Sequence, residues 1–176
     1  MNKNLISILM LLFMCKTMLG QSKVKCEEGV NQVHGEGMDT YYTQANRCTY
    51  GNILIKDETM EDAYDCKFTC HTISYYLIKS GKEVKVTLED LFKNGKSELL
   101  SKINTGLKKD FQNIVSNNSD CFVDLTYNSV TFGSIKLFIS KDSFIFSAPT
   151  HVAGYCEGPA GVMGTSISLK EMDKYL

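Results

Sequence analysis

The sequence predicts an α+β domain in which two to three helices pack on an antiparallel β-meander, the whole stapled by three disulfides. Three observations carry this. Capping signals followed by apolar residues at 3 and 4 spacing lie between residues 59 and 115. Runs rich in aromatic and β-branched residues, parted by turn pairs, fill most of the stretch from 121 to 149. Six of the seven cysteines follow a leader-like N-terminus, which would direct them to an oxidising compartment.

That leader is the first element. MNKNLISILMLLFMCKTMLG has a lysine-bearing start, an apolar run from Leu5 to Met14, and then small or polar residues. This is the pattern of a secretory signal peptide, and the run is too short to span a bilayer. Cleavage after Gly20, or as late as Ser22, leaves residues 21–176 as a single secreted α+β domain. Loss of Lys3 and Lys16 takes the formal charge from −1 to −3 with histidine neutral. A mildly acidic domain is a poor partner for nucleic acid or for anionic membranes. No later apolar run is long enough for a membrane span, so the expectation is an extracellular monomer.

Residues 26–48 are glycine-rich and polar without a sustained period, and read as an irregular loop closed by its own bridge. TYGNILIKDE reads as a short strand. Thr59-Met60-Glu61-Asp62 then supplies a helix start, acids occupy the first turn, and Ser80-Gly81 supplies a stop, which bounds a helix over 60–79. A short EVKV strand follows. Thr87-Leu88-Glu89-Asp90 begins a brief helix that Asn94-Gly95 ends. Ser97 before Glu98 begins a longer one, amphipathic through Leu100, Ile103, Leu107, Phe111 and Ile114. CFVDLTY, VTFGSIKLFIS and SFIFSAP read as the meander, and the last stretch as a glycine-rich loop tied down by Cys156, with Ser168 capping a final turn. Asn117-Asn118-Ser119 is a glycosylation sequon in a helix-to-strand connection, which makes Asn117 the acceptor.

After the leader the cysteines are Cys26, Cys48, Cys66, Cys70, Cys121 and Cys156. A zinc site or a redox pair needs free thiolates, and secretion removes them, so the six read as staples and no metal is expected. A helix over 60–79 places Cys66 and Cys70 on one face with Ile73 and Leu77. Bridges from that face to Cys121 and Cys156 would leave Cys26 with Cys48, one scheme among many.

The other side of the same helix carries Tyr64, Phe68 and Tyr75 with His71 beside them. An aromatic side opposite an apolar stripe is either sandwiched between two layers or lines a ligand or partner site, with His71 as polar anchor. Catalytic signals are thin. The histidines are His34, His71 and His151, and there is no nucleophile elbow, no His-Glu-x-x-His helix and no phosphate-binding loop with its lysine. The expected function is therefore a secreted, disulfide-stabilised extracellular binding or effector protein. It would be non-enzymatic, need no cofactor, and bind a small apolar ligand or a protein partner. The alternative is a small secreted hydrolase or nuclease using His34, His71 or His151 with nearby acids.

Overall fold

A computed structural model describes residues 24–29, 32–34, 41–62, 70–117, 126–150 and 161–176. The chain is α+β. A large antiparallel sheet is built from β1 (Val24–Glu27), β2 (Gln32–His34), β3 (Tyr41–Tyr50), β4 (Ile53–Asp62), β5 (Cys70–Lys79) and β6 (Lys82–Val86). Its order is β1-β3-β4-β5-β6, with β2 also paired to β3. A small sheet, β7 (Lys136–Ile139), β8 (Ser143–Pro149) and β9 (Val162–Ser168), is an antiparallel meander in chain order. Helix α1 (Lys96–Asn117) joins the two sheets in sequence, and α2 (Leu169–Met172) follows β9.

The helix expected over 60–79 does not form, because its residues up to Asp62 and from Cys70 onward are strand. Two local signals were ambiguous. Ser80 and Gly81 both take positive φ, 49° and 77°, which is the requirement of a two-residue hairpin turn rather than a helix stop. Ile73 and Leu77 are one helical turn apart, yet with Tyr75 they also satisfy the period of 2 that a strand needs. Register decides the matter, since Ile53, Leu54 and Ile55 face Leu77, Tyr76 and Tyr75 across the β4–β5 pair. Such aromatic and branched pairs outweigh a capping signal at Thr59.

Three further expectations change in the same direction. Residues 26–48 contain strand, not only loop, because β1 and β2 both pair with β3. The glycine-rich end contributes β9, which pairs with β8 from Ser143↔Ser168 to Pro149↔Val162. The brief helix after EVKV is a single 3-10 turn, Glu89–Leu91. Its start signal is nonetheless used: Asp90 Oδ2 accepts the Thr87 hydroxyl at 2.6 Å and the Thr87 N–H at 3.0 Å. Of CFVDLTY, residues 121–125 lie outside the described residues, and Thr126 and Tyr127 are not strand.

Helix α1 buries Leu99, Ile103, Leu107 and Phe111. They meet the inward face of the small sheet, where Leu137, Ile139, Phe144, Phe146, Ala148, Met163 and Ile167 are all buried in one cluster with them. The helix approaches β9 closely enough that a Cβ on Gly106 would stand 2.1 Å from Thr165 Oγ1. At the opposite side of the cluster Tyr50 of β3 meets Phe144 edge-on at 5.3 Å. The small sheet thus covers the helix at one end and the large sheet at the other. Ser168 caps α2 by accepting the Glu171 N–H, as its position before the last turn implied.

The outward face of the large sheet carries a cluster of charged side chains. Glu83 of β6 accepts from Arg47 at 2.5 Å and from Lys56 at 2.6 Å, and the Lys56 ammonium also stands 4.5 Å from the centre of the Tyr76 ring. Lysines on β6 at positions 82 and 85 guard the exposed edge of the sheet.

Candidate binding cleft

One concavity is built around a disulfide. Cys26 and Cys48 are directly opposed in β1 and β3 and are bonded, with Cα atoms 4.1 Å apart. In the next pair Cys48 faces Ile55, and two residues along Asn46 faces Asp57. Strand alternation sets Cys26, Asn46, Cys48, Ile55 and Asp57 on the same face of the large sheet. Phe138 and Ile139 of β7 come up against that face, and Glu27 and Glu28 close the end of it. The cleft between them is open to one side and has a volume of about 290 Å³.

Its floor is apolar, with Ile55 and Ile139 buried and Phe138 half-buried. Its wall is acidic: Glu27 and Glu28 are exposed and Asp57 is half-buried, and among the described residues no lysine, arginine or histidine lines it. Asn46 Oδ1 is buried and has no hydrogen-bond partner among the described residues. Leaving such an acceptor unsatisfied costs about 1–3 kcal/mol, and natural cores seldom accept that cost without a reason. Among the described residues no three His, Cys, Asp or Glu side chains gather closely enough to hold a metal ion.

A second cavity, of about 210 Å³, lies where α1 meets the small sheet, between Phe111, Tyr127, Val130, Ala148 and Met163. The Tyr127 hydroxyl at its wall is engaged within the protein. Asn104 accepts the Tyr127 hydroxyl and the Val130 N–H, both at 2.8 Å, and donates to the carbonyls of Leu100 and Val130. Burial raises the Tyr127 phenol above its ordinary pKa. This asparagine pins residues 127–130 to the helix, and among the described residues no charged one lines the cavity. The cleft at the disulfide is therefore the stronger candidate.

The aromatic group singled out in the sequence is only partly visible. Tyr64 and Phe68 lie outside the described residues, and of His71 the structure describes the backbone, paired with Thr59. Tyr75 is half-buried on the inward face of β5, where its hydroxyl accepts the Leu137 N–H at 3.0 Å. Burial raises its pKa, and the Leu137 hydrogen bond partly offsets that. Cys26 and Cys48 are joined as the sequence scheme had them. Cys66, Cys121 and Cys156 fall outside the described residues, and Cys70 is placed only by its backbone opposite Met60. Asn117 ends α1 exposed, its side-chain amide donating to the Asn113 carbonyl at 2.9 Å. His34 is a strand residue in β2, and His151 is outside the described set.

Sequence reasoning missed Glu27, Glu28, Asn46, Asp57, Phe138 and Ile139 as a group. They come from four separate segments, and reading 26–48 as a loop removed the register that unites them. One signal was present: the Cys26–Cys48 bridge alone brings Glu27 and Glu28 beside Asn46. Among the described residues no helix is long and apolar enough to cross a membrane. No protein-family model matches the chain, and no curated protein or solved structure matches it either.

Proposed function

We propose that the protein is an exported, disulfide-stabilised extracellular binding protein that acts without catalysis and makes its contacts at the Cys26–Cys48 cleft. The observation that carries this is the cleft itself: a concave site with an apolar floor, a few polar groups at its wall and a covalent bond fixing two of its strands. Export rests on the leader pattern of residues 1–20 and on the even number of cysteines beyond it. In this reading Cys66, Cys70, Cys121 and Cys156 form the two remaining bridges, and Asn117 carries a glycan. Because Tyr75 is engaged in joining the sheets, the contact site is placed at the cleft rather than at Tyr64, Phe68 and His71.

The test sets turnover against binding on the same exported protein. Lipid-ester, peptide, glycan and RNA substrates should all be left intact, while small ligands perturb the backbone amide resonances of Cys48, Ile55 and Phe138 saturably. Turnover that disappears on substituting His34, His71 or His151 would overturn the binding reading in favour of a hydrolase or nuclease.

A further inference from the structure

Asn94-Gly95 is the single Asn-Gly pair in the chain, and it lies in the connection that leads from the 3-10 turn into α1. Both residues are exposed, and Gly95 takes a positive φ of 58°. Among the described residues none accepts the Gly95 N–H and none bonds the Asn94 side-chain amide. A glycine after asparagine has no side chain to screen the asparagine Cγ from the following nitrogen, and its backbone rotates freely towards that carbon. Asparagine in such a setting is chemically labile. The other described asparagines are less disposed. Asn46 lies in β3, those at 104, 113 and 117 lie in α1, and the exposed Asn52 and Asn128 precede Ile53 and Ser129.

We infer that Asn94 is a site of spontaneous deamidation, and that its isoaspartate product loosens the packing of Tyr175 on the start of α1. The Gly95 nitrogen gives up its proton to hydroxide and attacks the Asn94 Cγ. The N–Cγ bond forms, the Cγ–Nδ2 bond breaks, and the departing nitrogen takes a proton and leaves as ammonia. One water then opens the cyclic imide. Opening at Cγ gives aspartate, and opening at the main-chain carbonyl gives isoaspartate, whose backbone runs through Cβ and Cγ. Nothing is oxidised or reduced, and water is the only co-reactant.

The extra backbone carbon of isoaspartate enters a segment tied on both sides. Before it, the Lys93 and Asn94 N–H groups donate to the Tyr175 carbonyl at 2.9 and 3.3 Å; after it, the Gly95 carbonyl accepts the Leu99 N–H at 2.9 Å. Between these ties Gly95 lies so close to the buried Tyr175 ring that a Cβ would stand 3.2 Å from two of its carbons. One tie has to yield. Leu99, Ile103 and Leu107 hold α1 in the core, whereas Tyr175 follows a helix of only four residues, so the tie to Tyr175 is the one that gives. Aspartate keeps the backbone length, and a negative charge near the N-terminus of α1 is favourable. The two products have the same mass and opposite structural effects.

The experiment holds the purified, disulfide-intact full chain at mildly alkaline pH and body temperature for weeks, with Asn94→Gln alongside. Peptide mapping with electron-transfer fragmentation tells aspartate from isoaspartate. Asn94 should convert at least about tenfold faster than Asn52 or Asn128, mostly to isoaspartate. Asn94→Gln should form none at this position. In the separated isoaspartate form, amide exchange at Lys93 and Tyr175 should quicken at least about tenfold, while Leu107 keeps its wild-type rate. Asn94→Asp should exchange as the wild type does, which separates the lengthened backbone from the added charge. Conversion of Asn94 only in denaturant, or no faster than that of Asn52 and Asn128, would overturn the site. Isoaspartate at this position with wild-type exchange at Lys93 and Tyr175 would overturn its structural consequence.

Discussion

The backbone N–H of Leu137 donates to the hydroxyl of Tyr75 at 3.0 Å, and this bond closes the outer edge of β7 from the large sheet. At the other edge of the small sheet the Gly164 N–H donates to Asp110 Oδ2 of α1 at 2.7 Å. A three-stranded sheet with two bare edges would invite pairing with other chains. Here each edge has a donor claimed by a side chain from the layer it packs against, so the same bonds that protect the sheet also fix its position.

Tyr75→Phe keeps the ring but strands the Leu137 N–H, and should cost about 1–3 kcal/mol of stability in a denaturant titration. Amide exchange at Leu137 should quicken with it. The pH dependence is on the alkaline side. Burial raises the Tyr75 pKa above that of the unfolded chain. Its contribution is then fully present below the unfolded value of about 10 and is lost as pH rises through the folded value. The wild-type protein should lose stability there more steeply than Tyr75→Phe does.

Gly106→Ala should destabilise the protein even though alanine is the better helix former. The added Cβ would meet Thr165 Oγ1 at 2.1 Å and Thr165 Cβ at 2.7 Å, with β9 fixed on both sides. Overpacking of this kind costs about 1–3 kcal/mol, against a propensity gain of about 1 kcal/mol. A lowered thermal midpoint with unchanged helix content by circular dichroism is the expected result.

Acid should weaken the fold through exposed carboxylates whose pKa is held low. Hydrogen bonds from Lys56 and then Arg47 lower Glu83, those from Lys174 and then Tyr175 lower Glu98, and Thr87 lowers Asp90. Each contributes stability above its unfolded pKa of about 4 and loses it as pH falls through its folded value. Glu83→Gln should flatten the acid limb of a stability-versus-pH curve, and added salt should shrink the difference from wild type.

How much of this was legible in the sequence depended on whether a segment's signals were local. The buried stripe of α1, from Ile103 to Phe111, is written in its own 3 and 4 spacing, and so is the capping role of Ser168. β5 was misread because CHTISYYLIK fits a helical stripe and a strand alternation equally well, and only its partners in β4 and β6 decide between them. β9 was hidden for the opposite reason: VMGTSIS has little apolar character of its own and is strand because β8 supplies the ladder. The cleft was invisible because its residues share a face only once β1, β3, β4 and β7 are in register.

Breaking the Cys26–Cys48 bridge as a double alanine variant should cost about 2–4 kcal/mol, since it closes a loop across 22 residues. The same change should broaden or shift the amide resonances of Ile55 and Phe138 at the cleft floor. Stability loss without any effect on those resonances would mean the bridge does not shape the cleft.

The proposal of an exported, fully stapled binding scaffold is decided by the intact mass of the protein recovered outside the cell, taken before and after alkylation under denaturing, non-reducing conditions. The predicted result is a chain beginning at Gln21 or Lys23, lighter than the reduced form by the hydrogens of three disulfides, unchanged by the alkylating agent, and heavier by a glycan that Asn117→Gln removes. Retention of residues 1–20, or alkylation of two or more of Cys66, Cys70, Cys121 and Cys156, would contradict it.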